Sequence, residues 1–194
     1  ENPYDSCVMN KTINGKQCTI GWYVDDVKVS HEEETVVEDI VAKMQEEYRE
    51  EAPLTVHRGK VHEYLGMTID FSNEGKVIFS MREYVKGILE ECPDELLKAG
   101  SAKTPAANHL FDTNDKAKKL DEDKAEIFHH LVAKLLYLSK RTRPDLLLAV
   151  AFLTTRVRAP DVDDWKKLAR CLCYLNDNKD LDLTLEASSS VLIH

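Results

Sequence analysis

The chain has 194 residues, 43% of them hydrophobic and 31% charged, and a formal net charge of −9. This is enough apolar material for one sizeable domain or two small ones, so we expect a globular fold. No apolar run approaches the roughly 20 residues that span a bilayer and no basic-then-apolar leader begins the sequence, which argues against a membrane partner. The five cysteines lack C-x-x-C spacing and predict buried free thiols in a reducing, intracellular setting.

The basic charge is concentrated late in the chain. Residues 1–128 carry 16 basic against 27 acidic side chains, a net charge of −11, whereas residues 129–180 carry 10 against 6, a net charge of +4. Such a density of positive charge could follow a phosphate backbone, and a solvated helical surface is the alternative.

The first 91 residues mix strand and helix patterns. Alternating hydrophobicity and turn residues, of which Asn14-Gly15 is the strongest signal, predict strands over 6–11, 17–24, 27–30, 61–71 and 76–81. Apolar residues at helical spacing predict helices over about 33–50 and 82–91. This part of the chain is therefore expected to be α+β, an antiparallel sheet with a packed helix.

A helical unit is expected after a linker. Residues 92–123 contain Pro93, Gly100 and Pro105 with little periodicity, which is typical of a linker. Helices are predicted over 124–140, 144–157 and 161–175, the last capped by Asp161. The middle helix is apolar nearly all round, so we expect the other two to bury it. The predicted domains are 1–91, 92–123 and 124–194, the last ending in a strand.

Two adjacent aspartates, Asp25 and Asp26, lie between two short apolar runs in GWYVDDVKVS. Asp tolerates tight-turn dihedrals, so an ordinary hairpin turn is one interpretation. The same hairpin would also hold two carboxylates in one small volume, where a hard divalent cation such as Mg²⁺ relieves their repulsion. The sequence contains no Walker loop, G-x-S-x-G elbow or H-E-x-x-H helix, so this pair is the candidate for chemistry.

Three stretches follow one another in the order Tyr23-Val24-Asp25-Asp26, HEYLGM at 62–67 and LLYLSKRTRPD at 135–145. They resemble the reverse transcriptases of copia-type retrotransposons (Pseudoviridae). Tyr23-Val24-Asp25-Asp26 is similar to their Y-x-D-D box, and HEYLGM at 62–67 is similar to their primer-grip hairpin. LLYLSKRTRPD at 135–145 resembles the helical segment that follows the palm in these polyproteins. In this order the three stretches, with their flanks, cover nearly the whole chain.

The resemblance implies a palm, thumb and connection arrangement in an RNA-directed DNA polymerase, which is a nucleotidyltransferase. Asp25 and Asp26 would be catalytic and would supply two of the three carboxylates that hold two Mg²⁺ ions, or Mn²⁺ in their place. Tyr23 would contact nucleic acid beside the site. The hairpin residues that would press the primer terminus toward the metals are Tyr64, Leu65 and Gly66.

The resemblance also implies partners. These are an RNA template with a DNA primer, deoxynucleoside triphosphates, and the fingers and ribonuclease H segments of the same polyprotein. The first catalytic Asp of the family would precede Glu1 and the ribonuclease H domain would follow His194, so we expect a fragment that is inactive alone. The expected location is cytoplasmic, with virus-like particles as one setting.

Six basic side chains of the helical unit are predicted to contact phosphates of the template–primer duplex. The alternative is ion pairing with Asp145, Asp161, Asp163 and Asp164. For the chain as a whole, two other interpretations stay open: a decayed or repurposed element segment that acts as a binding or interaction module, and an unrelated α+β domain in which the aspartates form a turn. The six predicted phosphate contacts are Arg141, Arg143, Arg156, Arg158, Lys166 and Lys167.

Overall fold

The computed structural model describes residues 2–48 and 54–186, which fall into two units, one ending at Leu65 and the other beginning at Gly66. Within these residues, no helix combines the length and the apolar character needed to cross a membrane. All five cysteines are free; Cys7 is exposed and the other four are buried. Burial raises the pKa of Cys171 to about 12. This thiol therefore stays protonated and acts as a buried core residue, not as a nucleophile.

Three antiparallel strands form the sheet of the first unit: β1 (Val8–Ile13), β2 (Lys16–Tyr23) and β3 (Asp26–Ser30), with β2 in the centre. Asn14 and Gly15 join β1 to β2 with φ of 51° and 77°. Positive φ at both central residues is the backbone that Asn-Gly supplies in tight hairpins. The predicted three-stranded meander is confirmed, with strand ends shifted by one or two residues.

Helix α1 (Glu34–Tyr48) follows the sheet and is less buried than its apolar spacing predicts. Only Val36 of its predicted inner face is buried, and Tyr48 is 48% exposed. The reason is a small core, because Cys18 and Val36 are the only buried hydrophobic residues among those described in this unit. The predicted end of the helix, 49–50, lies outside the described residues. Strand β4 (Val61–Tyr64) is the last element before Leu65.

The second unit begins with an antiparallel sheet of β5 (Met67–Asp70), β6 (Lys76–Ser80) and β7 (Leu183–Glu186), with β6 in the centre. The strand expected at the end of the helical region therefore pairs with a strand about a hundred residues earlier. An ion pair between Arg82 and Asp182, with Nη2 2.6 Å from Oδ2, lies beside this pairing. The α+β class of the chain is confirmed.

The segment 92–123, predicted to be a linker, packs against helices. It follows α2 (Arg82–Glu91), whose predicted bounds match, and it contains the short helix α3 (Asp94–Leu97). Its apolar residues Leu96, Ala102 and Leu110 are buried at 0%, 6% and 4% exposure. These side chains tie the segment to the core of the second unit. The expected domain boundaries at 92 and 124 remain a prediction.

The core of the second unit lies among α4 (Glu122–Arg141), α5 (Leu147–Thr154) and α6 (Val162–Asp177). Asp161 caps α6 as predicted, since its carboxylate accepts from the backbone N–H of Asp163 and Asp164. The capping box is completed by the Asp164 carboxylate, which accepts from the Asp161 N–H. Side chains at 0% exposure fill the core: Phe128, Val132, Leu135, Leu138, Leu146, Val150, Leu153, Leu168, Leu172 and Leu175.

The middle helix departs from its prediction. Its first turn is a 3-10 turn over Pro144–Leu146, and the α-helix ends at Thr154 rather than near 157. The expectation that the neighbouring helices bury it holds on one side only. Leu147 and Leu148 are 40% and 62% exposed, whereas the buried side consists of Leu146, Ala149, Val150 and Leu153. An α-helix of only eight residues packs one side against its neighbours and leaves the opposite side in water.

Candidate functional site: the aspartate hairpin and the basic helices

The aspartate pair occupies the tip of the β2–β3 hairpin. Tyr23, the last residue of β2, pairs with Asp26, the first residue of β3, so the two-residue turn is Val24-Asp25. Asp25 is thus at the tip and Asp26 at the start of the returning strand. The interpretation of these residues as the polar end of a hairpin agrees with this placement, and the register shows which residues form the turn.

Val24 adopts a left-handed backbone conformation, with φ of 57°. A β-branched side chain in this region is a true outlier, because its Cβ crowds the following carbonyl oxygen. Strain of this kind amounts to about 1–3 kcal/mol per residue and persists where the surrounding structure imposes it, often at functional sites. The strained residue here immediately precedes the two carboxylates.

The hairpin tip is open to solvent. Tyr23 is 57% and Val24 86% exposed, and Asp25 and Asp26 are also exposed. Neither aspartate side chain hydrogen-bonds to another described residue. Two free neighbouring carboxylates suit Mg²⁺, which often binds through one or two carboxylates together with waters and substrate phosphates. Within the described residues, no group of three or more His, Cys, Asp or Glu is placed to hold a metal, so this pair offers only part of a full ligand set.

The stretch predicted as one strand over 61–71 is interrupted by a turn. Strand β4 ends at Tyr64 and β5 begins at Met67, with Leu65 and Gly66 between them at φ of 51° and 69°. The continuous strand is therefore wrong, because positive φ at two successive residues breaks the extended backbone. The primer-grip role of this stretch remains a prediction. Tyr64 and Leu65 are half-buried and Gly66 is exposed. The hydroxyl of Tyr137 lies 3.8 Å from where a Cβ on Gly66 would stand.

Two of the six basic side chains, Arg143 and Arg156, are held by carboxylates of the second unit. Arg143 is 2% exposed; its Nε donates to Asp145 Oδ1 at 3.0 Å, Nη2 to Oδ2 at 2.7 Å, and Nη1 to the backbone oxygen of Asn178 at 2.9 Å. Arg156 Nε donates to Asp164, which is 1% exposed, at 3.1 Å. That hydrogen bond raises the pKa of Arg156. In this arrangement Arg143 has no surface from which to reach a phosphate.

The other four basic side chains are placed differently from one another. Arg141 stacks on Tyr137, with its guanidinium carbon 4.9 Å from the ring centre, and Arg158 is exposed. Lys166 is exposed and its Nζ lies 2.9 Å from Asp163 Oδ1. Lys167 is half-buried and donates to the backbone oxygen of Asp112 at 2.6 Å. The expected single basic face is thus divided between solvent, ion pairs and a cavity wall.

Arg170 is a residue that the site prediction left out. It follows Lys167 by three positions on α6, and both line one cavity of the second unit. Its Nη2 donates to Thr104 Oγ1 at 2.9 Å. The spacing of three was visible in the sequence as two cations on one helical face, but the wall that faces them comes from residues 99–114, which carry no periodic signal.

The two units together define an α+β protein with an exposed carboxylate hairpin and a basic helical region. No protein-family model matches this sequence, and no solved structure matches it. The chain is similar to a protein of Saccharomyces cerevisiae (strain ATCC 204508 / S288c) named "Putative transposon Ty5-1 protein YCL074W", with 24% identity over 176 residues. The match covers 90% of this chain and 54% of the yeast protein, so the chain spans about half the length of that relative.

Proposed function

We propose that this chain is a segment of an RNA-directed DNA polymerase from an LTR retrotransposon of the copia type. The observation that carries the proposal is the hairpin tip, where Tyr23-Val24-Asp25-Asp26 presents two solvent-exposed carboxylates behind a strained residue. Similarity to a yeast transposon protein along 90% of the chain supports the same origin. An ordinary turn would not require a β-branched residue at positive φ.

In this proposal the residues of the hairpin and of the second turn have distinct roles. Asp25 and Asp26 hold the divalent cations, and Tyr23 lies against the nucleic acid beside them. Tyr64, Leu65 and Gly66 bear on the primer strand. Two Mg²⁺ ions, when bound, would activate the primer hydroxyl and neutralise charge on the incoming triphosphate. The partners are then a template–primer duplex, deoxynucleoside triphosphates and the remaining segments of a longer polyprotein.

Among the basic side chains, we propose phosphate contact for Arg158, which is exposed. Arg141 and Lys166 are weaker contacts, because Arg141 is half-buried against Tyr137 and Lys166 is ion-paired. Arg143 and Arg156 are omitted, since Arg143 is itself buried and Arg156 would have to leave the buried carboxylate of Asp164, which is unfavourable. Contacts to phosphates alone would give binding that is independent of sequence and strongly dependent on salt.

The test is templated DNA synthesis by the longer polyprotein that contains this chain. Asp25→Asn and Asp26→Asn should each lower the rate at least about hundredfold, equivalent to about 3 kcal/mol of transition-state stabilisation. Asn keeps the turn preference of Asp, so the melting temperature should not change.

The matched control is Glu74→Gln, which neutralises an exposed carboxylate in another hairpin turn, between β5 and β6. This variant should synthesise DNA at the wild-type rate. Near-normal synthesis by either aspartate variant would contradict the metal-binding role of the pair.

A further inference from the structure

A cavity of about 540 Å³ lies in the second unit between α6 and the loop of residues 99–114. Its volume falls within the roughly 300–1,000 Å³ range of small-molecule sites. Lys167 and Arg170 line it from the helix, and Ala102, Ala106 and Leu110 form an apolar part of the opposite wall. None of these residues belongs to the aspartate hairpin.

Two positive charges on the cavity wall lack a carboxylate partner. Lys167 Nζ donates to a backbone oxygen and lies 4.5 Å from the centre of the Phe152 ring. Arg170 donates to the hydroxyl of Thr104. Lys166, which also lines the cavity, differs from both because Asp163 neutralises it. Within the described residues, neither Lys167 nor Arg170 forms an ion pair, although the chain as a whole is acidic.

The guanidinium of Arg170 also has an unused donor. Its Nε is buried and has no hydrogen-bond partner among the protein atoms. Leaving a charged donor unsatisfied is unfavourable, so the protein's own groups satisfy this guanidinium only in part. An anion in the cavity beside this guanidinium would compensate the positive charge, which no carboxylate among the described residues pairs.

We propose that this cavity binds a small organic phosphate. The phosphate group lies against Arg170 and Lys167, and the organic part lies against the apolar wall. A phosphate presents several acceptor oxygens, which match a guanidinium and an ammonium one helical turn apart better than a single acceptor does. A metal cation is disfavoured at the same place, because the two free cations would repel it.

The experiment is calorimetric titration of the full chain, in EDTA, with adenosine monophosphate, adenosine triphosphate, inorganic phosphate and adenosine. The phosphate-bearing probes should bind at one site, and adenosine should not. Arg170→Gln and Lys167→Gln should each weaken binding of the monophosphate at least about tenfold, the change expected when one charge-assisted hydrogen bond is lost. Circular dichroism and melting curves show that each variant is folded.

Lys140→Gln is the control, because it removes one positive charge from an exposed position on α4 that does not line the cavity. It should leave the affinity unchanged, and so should Asp25→Asn, which separates this site from the proposed polymerase centre. If Arg170→Gln does not fold, the same titrations are made with Lys167→Gln and with Arg170→Lys, which keeps the positive charge.

Three results would overturn the proposal: no binding of any phosphate probe, equal binding of adenosine, or affinity that is the same in the two glutamine variants as in the wild type. A fourth is binding of a duplex oligonucleotide that both variants weaken while the monophosphate does not bind, since the cations would then serve a nucleic-acid backbone. None of these results bears on templated synthesis, which tests the polymerase proposal separately.

Discussion

Replacing Arg143 by Ala is expected to destabilise the second unit by about 3 kcal/mol. Removal of one partner from a buried ion pair costs about 3–5 kcal/mol, because the remaining charge is left uncompensated. Arg143 is 2% exposed and loses its hydrogen bonds to Asp145 and to the Asn178 carbonyl. The Asp145 side chain is 31% exposed and can regain water, which places the expected value at the lower end of that range.

Thermal and urea unfolding measure this change. For a unit of this size, 3 kcal/mol corresponds to a fall in melting temperature of about 10 °C. Lys166→Ala is the control, because its ion pair with Asp163 is exposed and should contribute under about 0.5 kcal/mol. In the double variant with Asp145→Ala, the two effects should fall short of their sum by at least about 1.5 kcal/mol, since the second change removes the orphaned charge.

The pH dependence of stability gives an independent check on the same pair. Burial raises the pKa of Asp145, but the hydrogen bond and charge of Arg143 lower it further, so that the pKa lies below its ordinary value. A depressed carboxyl pKa contributes stability above the unfolded value, about 3.9, and loses it as pH falls through the folded value. The stability difference between wild type and Arg143→Ala should be constant above about pH 5 and shrink below about pH 4.

A melting temperature of Arg143→Ala within about 1 °C of the wild type would refute this reasoning. If that variant also bound a template–primer duplex more weakly, with a salt dependence lower by about one unit of slope, Arg143 would instead be a phosphate contact. The assignment of Arg143 to stability would then be withdrawn.

Three further changes have defined outcomes. Asp161→Ala should lower the free energy of unfolding, measured in urea, by about 2 kcal/mol, because α6 loses its N-cap and Arg156 loses an ion-pair partner. A decrease of less than about 0.5 kcal/mol would contradict the capping role. Val24→Asn should raise the free energy of unfolding of the first unit by about 1 kcal/mol, because Asn tolerates the positive φ that Val24 adopts. A lower free energy of unfolding would show that the contacts of the Val24 side chain outweigh its backbone strain. Gly66→Ala should lower the free energy of unfolding by about 1 kcal/mol, because alanine is strained at the φ of 69° that Gly66 adopts. A clash is not the cause, since the Tyr137 hydroxyl is 3.8 Å from the new methyl group. An unchanged melting temperature would contradict this strain.

Several features follow from short sequence stretches alone, because the interactions that produce them span only a few residues. Asn14-Gly15 supplies two residues that accept positive φ, and the observed turn lies there. Asp161 reaches N–H groups two and three residues ahead, so the start of α6 is encoded locally. The aspartate pair between two apolar runs likewise predicted the hairpin, although the register that makes Val24-Asp25 the turn depends on strand pairing.

Other features depend on residues that are distant in sequence. Alternating hydrophobicity continues through Leu65-Gly66, so the pattern predicted an unbroken strand. The positive φ values of these two residues show a turn there instead. The apolar spacing of α1 and α5 predicted buried helices, but the depth of burial depends on how much partner surface the fold supplies. The pairing of β7 with β6 has no signature in either strand.

The basic side chains illustrate the physical reason most directly. A row of Lys and Arg has the same pattern whether it faces water, a phosphate or a carboxylate, since charge alone does not encode solvation. Arg143 became a buried structural residue because Asn178, 35 positions later, supplies a carbonyl beside Asp145. Arg170 and Lys167 form no ion pair among the described residues because their partners in the 99–114 loop are the Thr104 hydroxyl and the backbone oxygen of Asp112. The positions of these charges along the helices follow from the order of the amino acids, whereas packing between distant segments sets which of them a carboxylate neutralises.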